Sequence, residues 1–271
     1  MTTNVIEDVI GGAVAWRRSG TAGQPTAVFL HGLGGNRSSW GPQLQELSDL
    51  RQCCAWELPG YGDSRGLVES LPWLADVAAQ WISSITSEPV DVVGLSFGGM
   101  VAQHLALAHP HLVRSLALLD TSPAFGLDGT TDSESWLASR VRPLHDTRTP
   151  RERLIQIVEA MVGSDCPQDV KDSVVDSMQA IPAASLEAAC RALVQHDTRD
   201  RLHEITAPTL VLVGAQDTET PPSYAAQLAA RIGHAAYRVI EGSGHISNLE
   251  APAAVNGELR ALWTAAQGDL S

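Results

Sequence analysis

Gly94-Leu95-Ser96-Phe97-Gly98-Gly99 follows the apolar run Val90-Asp91-Val92-Val93 and leads into Met100-Val101-Ala102-Gln103-His104-Leu105-Ala106-Leu107. A short β-branched run, a glycine-bracketed serine and a helix-forming run predict a strand, a sharp turn and a helix. The turn needs its glycines because side chains beside the serine have no room. It lifts the Ser96 hydroxyl clear of the sheet and sets it at a helix N-terminus. There the backbone N–H groups and the helix dipole favour a developing negative charge. Gly-x-Ser-x-Gly also occurs in plain loops, so the reading depends on partners elsewhere in the chain.

Two partners stand downstream, in order. Pro208-Thr209-Leu210-Val211-Leu212-Val213-Gly214 reads as a buried strand, and Ala215-Gln216-Asp217 follows in a turn. Tyr237-Arg238-Val239-Ile240 reads as another strand, running into Glu241-Gly242-Ser243-Gly244-His245. Ser96, Asp217 and His245 therefore all fall at carboxyl ends of strands, the edge of an open α/β sheet where ligands bind. Upstream, the strand Thr26-Ala27-Val28-Phe29-Leu30 precedes His31-Gly32-Leu33-Gly34-Gly35. Glycines here let backbone approach a substrate oxygen, and the N–H groups of Leu33 and Phe97 are the expected oxyanion donors.

With these residues assembled, the chain resembles the α/β-hydrolase superfamily over nearly its full length. Leu58-Pro59-Gly60-Tyr61-Gly62-Asp63-Ser64, Gly214-Ala215-Gln216-Asp217 and Gly244-His245-Ile246-Ser247-Asn248-Leu249-Glu250 look like the 3-oxoadipate enol-lactonase and small-carboxylesterase branch. The resemblance implies Ser96 as nucleophile, His245 as general base, Asp217 as its acid partner, and Leu33 and Phe97 as oxyanion donors. It implies cleavage of a small-molecule ester or lactone through an acyl-enzyme, with no cofactor. A hydrolase of carbon–carbon bonds in vinylogous diketones, a cofactor-free lyase or oxygenase, and a ligand receptor on the same fold remain open alternatives.

Rival residues have plainer readings. Asp120 ends the run Ser115-Leu116-Ala117-Leu118-Leu119 and competes with Asp217 as the acid, though it also suits a cap for the loop at Thr121-Ser122-Pro123. His31 is better placed to brace the Leu33 loop than to act as a base. His104 reads as a packing or surface residue of the helix after Ser96, His109 and His111 suit the C-terminus of that helix, and His145, His196, His203 and His234 follow no strand. Asp63 and Ser64 read as a loop held by an aspartate bonding its own backbone. No His, Cys, Asp or Glu cluster has metal-ligand spacing, so no metal is expected.

Composition narrows the class. A chain of 271 residues, 44% hydrophobic, suffices for one large α/β domain. With 31 acidic against 18 basic residues the formal net charge is −13, which disfavours nucleic acid and anionic membrane as partners. The first residues lack a basic region followed by an apolar one, and no run is long enough to span a bilayer, so a cytoplasmic location is expected. Cys53, Cys54, Cys166 and Cys190 read as free thiols, the adjacent pair on opposite faces of one strand. A homo-oligomer is compatible with all of this.

Organisation follows the pattern change. Residues 1–122 and 203–271 alternate short strands with amphipathic segments such as Trp40 to Leu50 and Leu71 to Thr86, as a mostly parallel sheet flanked by helices requires. Residues 123–202 show no strand, but helix-like stretches at Glu134 to Val141, Pro150 to Val162, Pro167 to Met178 and Ser185 to Gln195. Such an insertion before the last strands is the expected lid. Trp136, Arg140, Arg142 and His145 in its first part, with Trp40 from the core, are candidate substrate contacts. Leu33, Phe97, Met100 and Met161 are candidate apolar walls.

Overall fold

The computed structural model describes residues 6–146 and 151–268. β1 (Glu7–Val9), β2 (Trp16–Ser19), β3 (Thr26–Leu30), β4 (Gln52–Trp56), β5 (Val90–Leu95), β6 (Val113–Leu119), β7 (Thr209–Gly214) and β8 (Ala236–Ile240) form one sheet. Its spatial order is β1-β2-β4-β3-β5-β6-β7-β8. β1 and β2 pair antiparallel on one side, and every pair from β4 to β8 is parallel. The parallel strands β3 to β7 are almost wholly buried, both faces covered, whereas the edge strand β8 is largely exposed.

Period-2 alternation divides the core between those faces. Val28, Leu30, Cys54 and Trp56 pack on one side with α2 (Leu71–Ile85), α3 (Phe97–Ala108) and α8 (Pro222–Ile232). Ala27, Phe29, Cys53 and Ala55 pack on the other with α1 (Gly41–Glu46) and α9 (Pro252–Gly268). Cys53 and Cys54 thus face opposite ways, and all four thiols are free. The segment expected as one helix from Trp40 to Leu50 is an α-helix only over Gly41–Glu46, with 3-10 turns at Arg37–Trp40 and Leu47–Asp49. Pro42 in its first turn has no N–H and is tolerated there.

Between β6 and β7 the described chain is helical: α4 (Ser133–Asp146), α5 (Arg151–Met161), α6 (Gln168–Ala180) and α7 (Ala183–Leu193). The last two start after Pro167 and Pro182, whose fixed φ suits a helix entry. Leu154 and Val158 of α5, with Val174 and Val175 of α6, join the core cluster on the Phe29 side.

Strand order positions the site. β3 lies between β4 and β5, so the chain leaves β3 toward one side and returns on the other. The loops after β3 and β5 diverge at this reversal and leave a crevice at the carboxyl edge. The two loops are those of Leu33 and Ser96.

Candidate active site

Ser96 sits between the last residue of β5 and the first of α3 with φ 52° and ψ −117°. A non-glycine residue at positive φ is strained, and such strain gathers at functional sites. The glycines around it are enforced by contact. A Cβ on Gly98 would collide with the carbonyl oxygen of Leu30, and one on Gly94 with that of Gly98. At Gly99 a Cβ would come within 2.8 Å of the Thr121 side chain. Gly98→Ala is expected to destabilise the fold by about 3 kcal/mol, as overpacking against immovable backbone does. Thermal unfolding should show a Tm lower by roughly 6–12 °C; an unchanged Tm would mean that the turn has slack.

The structure brings three of the expected residues into one hydrogen-bonded line. Ser96 Oγ lies 2.8 Å from His245 Nε2, and His245 Nδ1 lies 2.9 Å from Asp217 Oδ2. All three are shielded: His245 is 6% exposed, Asp217 3%, and Ser96 is half-buried. Asp217 is oriented by its own turn. Its Oδ1 accepts the N–H groups of Glu219 and Thr220, and its Oδ2 accepts the Thr220 hydroxyl. Burial lowers the proton affinity of His245. The Asp217 carboxylate outweighs it by charge and hydrogen bond, with Asp120 and Glu219 adding to the pull, and raises the pKa to about 9.

The histidine loop is pinned at successive residues. Gly244 and Ile246 donate to the two carboxylate oxygens of Glu250, at 3.0 and 3.1 Å. His245 N–H donates to the Met161 carbonyl and Ser247 N–H to Asp120 Oδ2. Glu250 also accepts the Gly163 N–H at 2.6 Å, which ties the segment after α5 to the loop.

Asp120 does not reach His245. It is fully buried at φ 46°, and its two oxygens accept N–H groups of Gly214 and Ser247 at 2.9 Å. It therefore joins the end of β7, which carries Asp217, to the loop that carries His245. Burial and the neighbouring Asp217 charge push its pKa up to about 7.

The Leu33 loop is braced as its sequence suggests. Leu58 N–H donates to His31 Nε2 at 3.0 Å, so Nδ1 carries the proton and donates to the Gly32 carbonyl. Burial keeps His31 neutral, with a pKa of about 4. The Tyr61 hydroxyl donates to the Leu33 carbonyl at 2.9 Å. A Cβ on Gly32 would lie 3.3 Å from that of Ser96, so backbone and serine are in close approach. Among the described residues, neither Leu33 N–H nor Phe97 N–H donates to a turn, loop or cap.

Other expected residues fall elsewhere. Trp136, Arg140, Leu33 and Met161 line the cavity at Ser96. Trp40 does not: it is fully buried, its ring 5.2 Å from that of Phe29. The Phe97 and Met100 side chains belong to the core on the α3 side. His145 lies within α4, but its side chain is outside the described residues, as is that of Arg142. Asp63 binds Arg37 at 2.7 Å instead of its own backbone, because that guanidinium is the stronger partner. Ser64 links Ala15 N–H to the Glu57 carbonyl.

Thr220, Glu219 and Arg153 were not foreseen. Only Thr220 leaves a local trace, as a hydroxyl residue three after an aspartate in a turn. Among the described residues, no group of three or more His, Cys, Asp or Glu side chains is placed to hold a metal. None of the described helices is long and apolar enough to cross a membrane.

Residues 27–258 match the model of the alpha/beta hydrolase family. The chain belongs to that family. It is 30% identical over 239 residues to the pimeloyl-[acyl-carrier protein] methyl ester esterase of Aeromonas hydrophila, covering 84% of this chain and 91% of the relative. It is 27% identical over 259 residues to 3-oxoadipate enol-lactonase 2 of Acinetobacter baylyi, covering 92% of each. In three dimensions it is similar to a thermophilic esterase from Thermogutta terrifontis, with malate bound. That match has a TM-score of 0.83 at 25% identity and covers 93% of both chains. The enol-lactonase of Burkholderia xenovorans shares the fold at a TM-score of 0.84 and 22% identity, over 93% of this chain and 96% of that one.

Proposed function

We propose that this hydrolase cleaves a carboxylic ester or lactone of a small molecule through Ser96, His245 and Asp217. The observation that carries the reading is the continuous line from Ser96 Oγ through both imidazole nitrogens to the Asp217 carboxylate. Its relatives point the same way, since those named above are ester and enol-lactone hydrolases.

In the first step His245 Nε2 takes the Ser96 proton as Oγ attacks the carbonyl carbon. Asp217 holds Nδ1–H and stabilises the imidazolium that forms. The N–H groups of Leu33 and Phe97 receive the carbonyl oxygen as it becomes an oxyanion. His245 then gives its proton to the departing alcohol, or to the ring oxygen of a lactone, leaving an acyl-serine. In the second step water gives a proton to the same nitrogen, attacks the acyl carbon and releases the acid. His245 returns the proton to Ser96. Within residues 123–202, described side chains such as Trp136, Arg140, Ile157 and Met178 wall the cavity, which supports this insertion as the lid that selects the substrate.

A serine-directed fluorophosphonate tests the mechanism by intact mass and peptide mapping. One adduct on Ser96, lost in His245→Ala, is the expected result. No adduct on folded protein would overturn the nucleophile assignment.

A further inference from the structure

The cavity at Ser96 continues outward. Its inner part, about 150 Å³, is bounded by Ser96, His245, Leu95, Met161, Ile246 and Leu249. Leu33, Gly34, Trp136, Arg140, Ile157 and Met178 are walls shared with an outer chamber of about 540 Å³. Leu154, Ile181, Pro182 and Leu186 give the chamber a largely apolar lining. Among its described residues the charged ones are Arg140 and Arg153.

One of these two guanidiniums, like those of Arg65 and Arg231, has no carboxylate partner among the described residues. With 31 acidic residues against 18 basic ones, carboxylates are plentiful, and Arg17, Arg37, Arg51, Arg114 and Arg260 each have one. Arg153 has none among the described residues. It precedes Ile157 by four positions on α5, which sets both on the helix face toward the chamber. Arg140 is held over the Trp136 ring, 5.4 Å from its centroid, and its pairing with Glu219 is long at 3.5 Å. Glu219 takes up the Arg140 charge, so the chamber keeps about one positive charge, that of Arg153, without a carboxylate partner among the described residues.

We infer that the outer chamber is a subsite for a carboxylate at the far end of the substrate's acyl chain. The inference rests on the ester-hydrolase reading above. The scissile carbonyl has to lie in the inner cavity, between Ser96 Oγ and the two N–H groups, beside a small alcohol. The acyl chain then runs outward between Leu33, Trp136, Ile157 and Met178, where methylenes leave water. At its end Arg153, with Arg140 beside it, takes a planar carboxylate in paired hydrogen bonds. One uncompensated charge matches a monoanion and would leave a phosphate dianion half neutralised. An anchor on the acyl side persists through the acyl-enzyme and is released with the diacid. The substrate class is therefore a half-ester of a dicarboxylic acid.

The test compares monomethyl esters of straight-chain diacids, from succinic to suberic, with methyl esters of monoacids of equal chain length. Proton release at constant pH follows turnover in wild type, Arg153→Gln, Arg153→Lys and Ser96→Ala. At the optimal length the half-ester should lead in kcat/KM by about tenfold or more, chiefly through KM. That ratio should collapse in Arg153→Gln and recover in part in Arg153→Lys. Titration calorimetry on Ser96→Ala adds a readout independent of turnover: the matching diacid should bind, and bind about tenfold more weakly once Arg153→Gln is added. Ser96-dependent hydrolysis with no preference for the charged ester, or a preference that ignores Arg153, would overturn the subsite and leave the hydrolase reading intact. Diacid binding without hydrolysis of any ester by folded wild type would uphold the subsite and overturn the ester reading. Neither binding nor hydrolysis would overturn both.

Discussion

Ser96→Ala should lower kcat by about six orders of magnitude with any ester the enzyme accepts, while circular dichroism and Tm stay near wild type. The size follows from the role proposed for the hydroxyl. Without Oγ no acyl-enzyme forms, and His245, the oxyanion donors and the cavity can only assist direct attack by water. Such assistance leaves a residue of roughly 10³–10⁴ over the uncatalysed rate. The fold should survive because, among the described residues, Ser96 Oγ has a single partner, His245, at the half-buried mouth of the cavity. The positive φ at this position is imposed by Gly94, Gly98 and Gly99 and remains with alanine. Pre-steady-state assays with a chromogenic ester would show a burst for the wild type and none for the variant. A variant that kept a tenth of the activity would sink the covalent route and turn attention to His245 as sole base.

Asp217→Asn and Asp120→Asn should separate two buried carboxylates that sequence alone left in competition. Asparagine at 217 presents an amide to Nδ1, favours the wrong imidazole tautomer and removes the charge that steadies the imidazolium. A loss of about 10⁴-fold in kcat is expected at all pH values. Asparagine at 120 leaves the bond between His245 and Asp217 in place. It forfeits one of the two backbone N–H bonds that Asp120 accepts, to Gly214 or to Ser247, at a cost of about 1–3 kcal/mol. Its catalytic effect should be near tenfold, with a change in pH profile that a purely structural defect would not produce. Both carboxylates raise the proton affinity of His245, and the base has to be unprotonated to act. The acid limb of kcat/KM in wild type should therefore lie above the ordinary imidazole value and move to lower pH in Asp120→Asn. A larger loss from Asp120→Asn than from Asp217→Asn would hand the acid's role to Asp120.

The contest between these aspartates marks where sequence reading stops. Both end apolar runs that become parallel strands, and both fall at the catalytic edge, so strand-end logic admits either. What separates them is register and side-chain reach. β6 and β7 are neighbours, and Asp120 is spent bridging β7 to the histidine loop. Asp217, three residues beyond β7, has a turn that swings its carboxylate beneath the imidazole. Locally only the turn from Asp217 to Thr220 hints at that difference; the bonds that occupy Asp120 come from residues 94 and 127 positions away.

Much else was legible because its causes are local. The strand at Thr26–Leu30 coincides with the apolar run that predicts it, and the elbow at Ser96 follows from glycines that backbone contacts enforce. The helix over Gln168–Ala180 starts at the proline that announces it, while the one expected from Ser185 starts two residues earlier, at Ala183 after Pro182. Trp40 misled because a large aromatic residue after a glycine loop suits a pocket wall as well as a core. Only the approach of Phe29 shows that it is core.

By itself the sequence determined the strand–turn–helix around Ser96, the order serine, aspartate, histidine at strand ends, and the glycine loop with Leu33. Each depends on period, turn chemistry and steric room within a few residues. Tertiary structure alone decided which aspartate meets His245, that Glu250 and Asp120 pin the histidine loop, and that Arg140 and Arg153 share a chamber above the serine. Those are distances between side chains from different strands and helices, and they exist only once the sheet order and the packing of α4 to α7 have brought the segments together.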